Sequence, residues 1–305
     1  MIARASESTA REFAPFAPFA PSPNTSADGA TTATASPKSP LDDEVFPHQT
    51  DSIPPGVTVA GAYDLRFAWT RRDLAEVQAL RYRVFNEELG EGLASAVSSA
   101  RDEDHRDPWF HHLMIIHRNS GEVVGTYRMQ TVTMAASRFG FYSAEFFELG
   151  GIAGSILARS VEIGRACVAP GHRNGRVIRL LWRGLARYLQ WNGQRYLFGC
   201  CSVPGLDPEL ARSTWNSLTS NGALHDDVFV RPRAATRALH DDGRALDTEA
   251  PDAPNALPPL FQSYLSLGAR VCGPPAFDRE FGTTDYLVLL DTEAMAPTAY
   301  ASFFG

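Results

Sequence analysis

The stretch SVEIGRACVAPGHRNG, residues 160–175, reads as a buried strand running into a loop. Val161, Ile163, Ala166, Cys167 and Val168 are apolar, yet Glu162 and Arg165 interrupt them. An ionised group leaves water at a cost of several kcal/mol unless it finds a partner. The two charges therefore mark either a structural ion bridge or part of a site. Their odd spacing puts them on opposite faces of an ideal strand. Gly164 between them can host a bulge that changes the phase.

Downstream, the segment from Gly171 to Arg195 contains no acid, while Arg173, Arg176, Arg179, Arg183, Arg187 and Arg195 are all basic. Val177, Ile178, Leu181, Leu185 and Leu189 recur at helical intervals, with Arg176, Arg179, Arg183 and Arg187 on the opposite stripe. A helix starting after GHRNGR offers unpaired N–H groups and a positive dipole end, to which Arg173 and Arg176 add charge. A phosphate or diphosphate suits that end, although the loop has neither Walker nor Rossmann spacing. The alternative is an ordinary solvated helix face. On a chain of net charge −7, so local a stripe points to one anionic partner rather than to nucleic acid wrapping.

The chain has 305 residues and is 44% hydrophobic, enough to bury a substantial core. It has no run of about 18 apolar residues and no basic-then-apolar leader, so a cytoplasmic protein is expected. Cys167, Cys200, Cys201 and Cys272 lie in apolar segments without metal-ligand spacing, and read as reduced core thiols. Residues 1–58 are rich in Ala, Pro, Ser and Thr and are expected to form a disordered tail, leaving one domain over 59–305.

Within that domain, YDLRFAWT starts as a strand, and TRRDLAEVQALRYRVFNEELG reads as an amphipathic helix with a Thr70–Asp73 capping box and Gly90 at its end. Two apolar runs, HHLMIIH and EVVGTYRM, flank Asn119, Ser120 and Gly121 as a hairpin. SAEFFEL is read as helical, RYLFGCCSV as a buried strand, DPELARSTWNSLTSNG and PPLFQSYLSLG as helices, and TDYLVLLD as the last strand. Residues 231–258 read as a polar surface excursion. This order predicts an α/β (α+β) domain on a mixed central sheet with helices on both faces.

A second set of charges sits in or beside apolar segments: Arg81, Asp104, Asp107, Arg128, Glu162 and Arg165. Three arginines and three carboxylates can pair off. Together with LRYRVFNEELG, DEDHRDPWFHHLMII, VVGTYRM, EIGRACVAP, LLWRGL, LFGCCSVPG and LGARVCGPPAFDREFGTTDYLVLLD, they make the chain resemble the ornithine N-acyltransferases over residues 62–291. These bacterial enzymes make lyso-ornithine lipid and are often called hemolysin-like. Their motifs are similar to those of the acyl-homoserine-lactone synthases, whose signature charges match Arg81 with Phe85, Asp104 with Asp107, Arg128, and Glu162 with Arg165. The tryptophan that the lactone synthases carry shortly after the first helix is absent here, which speaks against a signal synthase.

The resemblance implies the Gcn5-related N-acyltransferase (GNAT) fold, with a bulge in strand 161–168 where an acyl thioester enters between splayed strands. It implies 3-hydroxyacyl-acyl carrier protein as donor, no bound cofactor and no metal. Amide formation needs an ammonium deprotonated, two reactants held together and an oxyanion stabilised. Glu162, its pKa raised by burial, is the expected base, directly or through water, with Arg165 limiting that shift or steering a substrate carboxylate. Arg81, Phe85, Asp104, Asp107, Arg128 and Arg270 are the expected acceptor contacts, with structural pairing the alternative for Arg81 and the aspartates. Val168, Arg173, Gly175 and Arg176 would hold the phosphopantetheine arm, and Arg179, Arg183 and Arg187 would dock the carrier protein. Rival readings are acylation of another amine, lactone synthesis, or a membrane-active protein whose basic helix meets an anionic leaflet. An O-acyltransferase of the His-four-spacer-Asp kind is disfavoured, because no histidine has Asp five residues later.

Overall fold

The computed structural model describes residues 44–239 and 257–305. Along the chain come β1 (Thr58–Ala60), β2 (Tyr63–Phe67), α1 (Arg71–Tyr82), β3 (His111–His117), β4 (Val123–Thr131) and α2 (Val132–Ser137). Then follow β5 (Phe147–Glu148), α3 (Gly154–Leu157), β6 (Ser160–Val168), α4 (Arg176–Trp191), β7 (Tyr196–Pro204) and α5 (Pro208–Ser220). The chain ends with β8 (Arg231–Pro232), α6 (Pro259–Ser266), β9 (Arg270–Val271), β10 (Ala276–Asp278), β11 (Thr283–Asp291) and α7 (Pro297–Phe304). The main sheet runs β1-β2-β3-β4-β6-β7-β11-β10, with β9 added to β11, and β5 pairs with β8 apart from it. All pairs are antiparallel except β6 with β7.

Local chemistry sets the ends of α1. Thr70 and Asp73 close the expected capping box, and Asp73 also takes both terminal nitrogens of Arg66. The helix passes into a π turn over Arg83–Glu88 before Gly90 turns left-handed at φ +66°. On one face of the sheet α4 buries Val177, Leu181, Leu185 and Leu189 against Leu113, Ile115, Tyr127 and Met129. On the other, α1 buries Leu74, Val77 and Leu80 against Met114 and Cys167. Alternation of 113 and 115 with 114 shows β3 clad on both sides.

Three sequence boundaries are corrected. The expected tail reaches too far, because residues 44–58 pack: Phe46 and Ile53 are buried and His48 stacks on Trp109 at 3.8 Å between ring centroids. Residues 1–43 lie outside the described residues. The excursion begins later than 231, since β8 pairs with β5 and Ala238 and Leu239 are buried; residues 240–256 lie outside the described residues. SAEFFEL forms a 3-10 turn, Tyr142–Glu145, and then strand β5, because Phe146 and Phe147 bury into the cluster with Phe198, Leu287 and Leu289.

The expected bulge lies in β6. Thr126 pairs with Cys167 and Arg128 with Gly164, so three steps on β6 oppose two on β4. The left-handed residue is Arg165 itself, at φ +50°, rather than Gly164. Val161 and Ile163 face the α4 side before the bulge, and Ala166 and Val168 face it afterwards. Glu162 and Arg165 therefore share the α1 face. The neighbouring pair then parts: β6 and β7 are bonded only from Ser160–Tyr196 to Glu162–Phe198, although both strands continue. A Cβ on Gly199 would lie 2.2 Å from the carbonyl oxygen of Ile163, so glycine alone fits the apex of this splay. Gly199→Ala is expected to destabilise by roughly 1–3 kcal/mol, the usual range for overpacking against fixed structure. Urea unfolding checks this; an unchanged midpoint would show that the apex can widen.

Candidate functional site

Three arginines and three aspartates interlock on the α1 face of the bulge. Arg81, fully buried, donates to Asp102 (Nε, 2.6 Å) and to Asp107 (Nη1 and Nη2, both 2.9 Å). Arg128 donates from Nη1 to Asp104 at 2.5 Å and to Asp107 at 2.9 Å. Arg165 donates from Nη2 to Asp104 at 3.3 Å, and its Nε stands 3.5 Å from Asp102 without hydrogen-bond geometry. The expected third carboxylate, Glu162, is not a member; Asp102 takes that place. Burial pushes Asp107 upward, but Arg81 and Arg128 outweigh it and hold the carboxyl well below the usual range. Asp104 is held low in the same way by Arg128 and Arg165. Left-handed geometry at a non-glycine residue is strained, and these ion pairs keep Arg165 in it.

Glu162 is buried and makes no ion pair with Arg165 among the described residues. Its carboxylate receives Gln130 Nε2 at 2.5 Å, the backbone N–H groups of Tyr142 at 2.9 Å and Ser143 at 2.7 Å, and Ser143 Oγ at 2.6 Å. Gln130 lies on β4 two residues beyond Arg128, hence on the same face. Of these donors, the Ser143 hydroxyl alone can turn to accept from a protonated Glu162. The turn that Glu162 holds carries Tyr142, whose ring has the guanidinium carbons of Arg165 and Arg128 at 5.2 and 5.3 Å.

Tyr142 also links this cluster to the far strands. Its hydroxyl donates to Asp278 Oδ2 at 3.1 Å, while the N–H groups of Glu280 and Phe281 hold Oδ1 at 3.0 Å. Asp285 on β11 stands in register with Ser202 on β7 and Ala276 on β10. Thr283 Oγ1 donates to it at 3.0 Å, and Ser202 is its other side-chain partner. Neither Asp278 nor Asp285 has an arginine at ion-pair distance among the described residues. Phe281 covers Arg165, with 4.1 Å from guanidinium carbon to ring centroid, and packs edge-on to Phe85 at 6.4 Å.

Of the expected site residues, the structure brings Arg81, Phe85, Asp104, Asp107, Arg128, Glu162 and Arg165 together. It does not bring Arg270, which sits exposed on β9 opposite Leu289 with its own neighbour Ala269 O as acceptor. The donor-side residues follow the end of β6: Arg173 Nε donates to Val168 O, and Gly175 caps α4 at φ +82°. Arg173 also pairs with Glu88, so its charge is partly spent. Arg176, Arg179 and Arg183 are exposed, but Arg187 is not part of that free surface: it donates to Pro55 O and Thr58 Oγ1. That leaves a three-residue stripe for docking.

Asp102, Gln130, Tyr142, Ser143, Asp278 and Asp285 escaped the sequence reading. For Asp285 the signal was present, since it interrupts TTDYLVLLD as Glu162 interrupts its own strand. Tyr142 and Ser143 left none, because their position depends on a turn folding back over the sheet.

Residues 80–183 match the sequence model of an acetyltransferase (GNAT) domain. The L-ornithine N(alpha)-acyltransferase of Agrobacterium fabrum is 32% identical over 265 residues, covering 80% of this chain and 86% of that protein. The one from Rhizobium meliloti is 34% identical over 259 residues, covering 79% and 84%. Among solved structures, the crystal structure of the AHL synthase LasI aligns at 15% identity over 78% of this chain and 94% of that one, with a TM-score of 0.44. Sheet order, bulge and splay, with the matched domain, give this chain the GNAT fold.

Proposed function

The chain belongs to the L-ornithine N(alpha)-acyltransferases, and from that membership we propose that it moves a 3-hydroxy fatty acyl chain from acyl carrier protein to the α-amino group of ornithine, forming lyso-ornithine lipid. It is an acyltransferase. The observation that carries the reading is similarity to these enzymes over about four fifths of the chain.

The splay supports a thioester donor. Beyond Glu162–Phe198, the edge of β6 that faces β7 has no ladder partner among the described residues, so its backbone groups are free to bond an extended pantetheine arm as an added strand would. A backbone N–H there can also meet the developing oxyanion. The phosphate end of the arm would lie against Val168, Arg173, Gly175 and Arg176 at the start of α4. The acidic carrier would meet Arg179 and Arg183. For the acceptor, Asp104, Arg128 and Arg165 offer both signs of charge, while Arg81 and Asp107 hold that set in place. Glu162 keeps the Tyr142 turn closed over the reacting groups. An amphiphilic product suits a peripheral position at the inner face of the membrane; no helix among the described residues is long and apolar enough to cross one.

Lipid extracts of cells expressing the chain, read by mass spectrometry, test the reading: acylated ornithine is expected above other acyl amino acids, and its absence contradicts it. The double charge reversal Arg179→Glu with Arg183→Glu is expected to slow association with the acyl carrier about tenfold or more at low salt, with less effect at high salt. Stopped-flow binding checks this, and an unchanged rate constant would place the docking surface elsewhere.

A further inference from the structure

The geometry points to Asp285 as the carboxylate that takes the proton from the acceptor ammonium, with Tyr142 and Asp278 holding it in the reaction cleft; this rests on the acyltransfer reading above. Amide formation must remove one proton from nitrogen before attack. Glu162 is poorly built for that, because three of its four partners are N–H groups, which can donate but never accept. Asp285 is built differently. Its side-chain partners, Thr283 and Ser202, are hydroxyls, which rotate to accept once the carboxyl carries a proton.

Position agrees. Asp285 is buried one strand beyond the β6–β7 splay, in register with exposed Ser202, and shares the sheet face of Cys200, whose Sγ reaches Ser143 Oγ at 3.8 Å, so the carboxyl lies on the Tyr142 side of the sheet. Tyr142 spans the gap between the two carboxylate groups, with its N–H on Glu162 and its hydroxyl on Asp278. An acceptor bound beside Tyr142 meets Arg165, whose guanidinium carbon lies 5.2 Å from the Tyr142 ring centroid.

The charged and titratable groups facing Asp285 are Asp278 from β10, Arg165 from β6, Cys200 and Cys201 from β7, and Tyr142 from the turn. Burial and then Asp278 push the Asp285 carboxyl up to about 6, with Ser202, Thr283 and Arg165 opposing. That value suits a base working near neutrality. In the step, R–NH3+ gives a proton to the Asp285 carboxylate, and the free amine attacks the thioester carbonyl. The C–N bond forms, the C–S bond breaks, the second nitrogen proton goes to the leaving thiolate, and Asp285 returns its proton to water.

The test follows thiol release from 3-hydroxyacyl-carrier protein with ornithine, across pH 5–9, for the full chain. Wild-type kcat/KM is expected to fall below a pH of about 6. Asp285→Asn should lower kcat at least 100-fold and abolish that limb, while Tm stays level or rises, since a buried charge without a cation is removed. Because Asp278 raises Asp285, Asp278→Asn should move the limb to lower pH, which decides the matter even if Asp285→Asn fails to fold. Wild-type kcat with an unchanged limb in Asp285→Asn, or a limb unmoved in Asp278→Asn, overturns the assignment. No thiol release by the wild type overturns the acyltransfer reading instead.

Discussion

Arg81→Met is expected to destabilise the protein by about 3–5 kcal/mol, the usual result of removing one member of a buried ion network. Arg81 and both of its partners, Asp102 and Asp107, are fully buried, so solvent cannot replace the lost guanidinium. Asp107 would keep Gln78 and Arg128, but among the described residues Asp102 would retain only the distant Nε of Arg165 as a charged side-chain partner. Arg81→Lys should recover little, since a single ammonium cannot fork to two carboxylates. Because the folded state holds Asp107 and Asp104 low, their contribution is present above the unfolded carboxyl value, near 4, and is lost as pH falls through the folded one. The network is therefore an acid-labile buttress. Denaturant titration of the variant at pH 7 reads the loss directly, and a loss below about 1 kcal/mol would mean that the surrounding packing carries the site without it.

Glu162→Gln is expected to lower kcat roughly 100-fold, the scale of a reaction centre displaced by about an ångström. The substitution keeps shape but turns one acceptor into an NH2 group among donors. Gln130, Tyr142 and Ser143 cannot all remain satisfied, so the Tyr142–Glu145 turn loosens and Tyr142 leaves the arginine pair. Unsatisfied buried donors cost about 1–3 kcal/mol, enough to reorganise a turn but not to unfold the domain. Steady-state kinetics on folded protein checks the effect. Activity within a few-fold of wild type would remove Glu162 from the reaction centre.

Much of the scaffold was legible because it rests on local chemistry. The α1 capping box, the β3–β4 hairpin and the apolar stripe of α4 follow from short-range patterns in the chain. The bulge was legible in part: Gly164 between charges at odd spacing can host one, and the resemblance to the acyltransferases implied it. Its centre was not: left-handed geometry falls on Arg165, which tertiary ion pairs hold, and no local rule would choose it over Gly164. The charges were found by asking which ions sit in apolar runs, which caught Arg81, Arg128 and Glu162. Asp102 was not among the charges singled out, and only its neighbours in space reveal that it is buried. Arg187 reads like its stripe-mates, yet the segment before β1, taken in sequence as tail, folds onto it.

The central measurement is amide formation by the purified chain from 3-hydroxyacyl-acyl carrier protein with ornithine and a panel of other amino acids, the acylated nitrogen being located by tandem mass spectrometry. Acylation of ornithine at the α-nitrogen, faster than of any other amine, is the predicted result. Equal rates across the panel, or acyl transfer to the side-chain nitrogen, would contradict it.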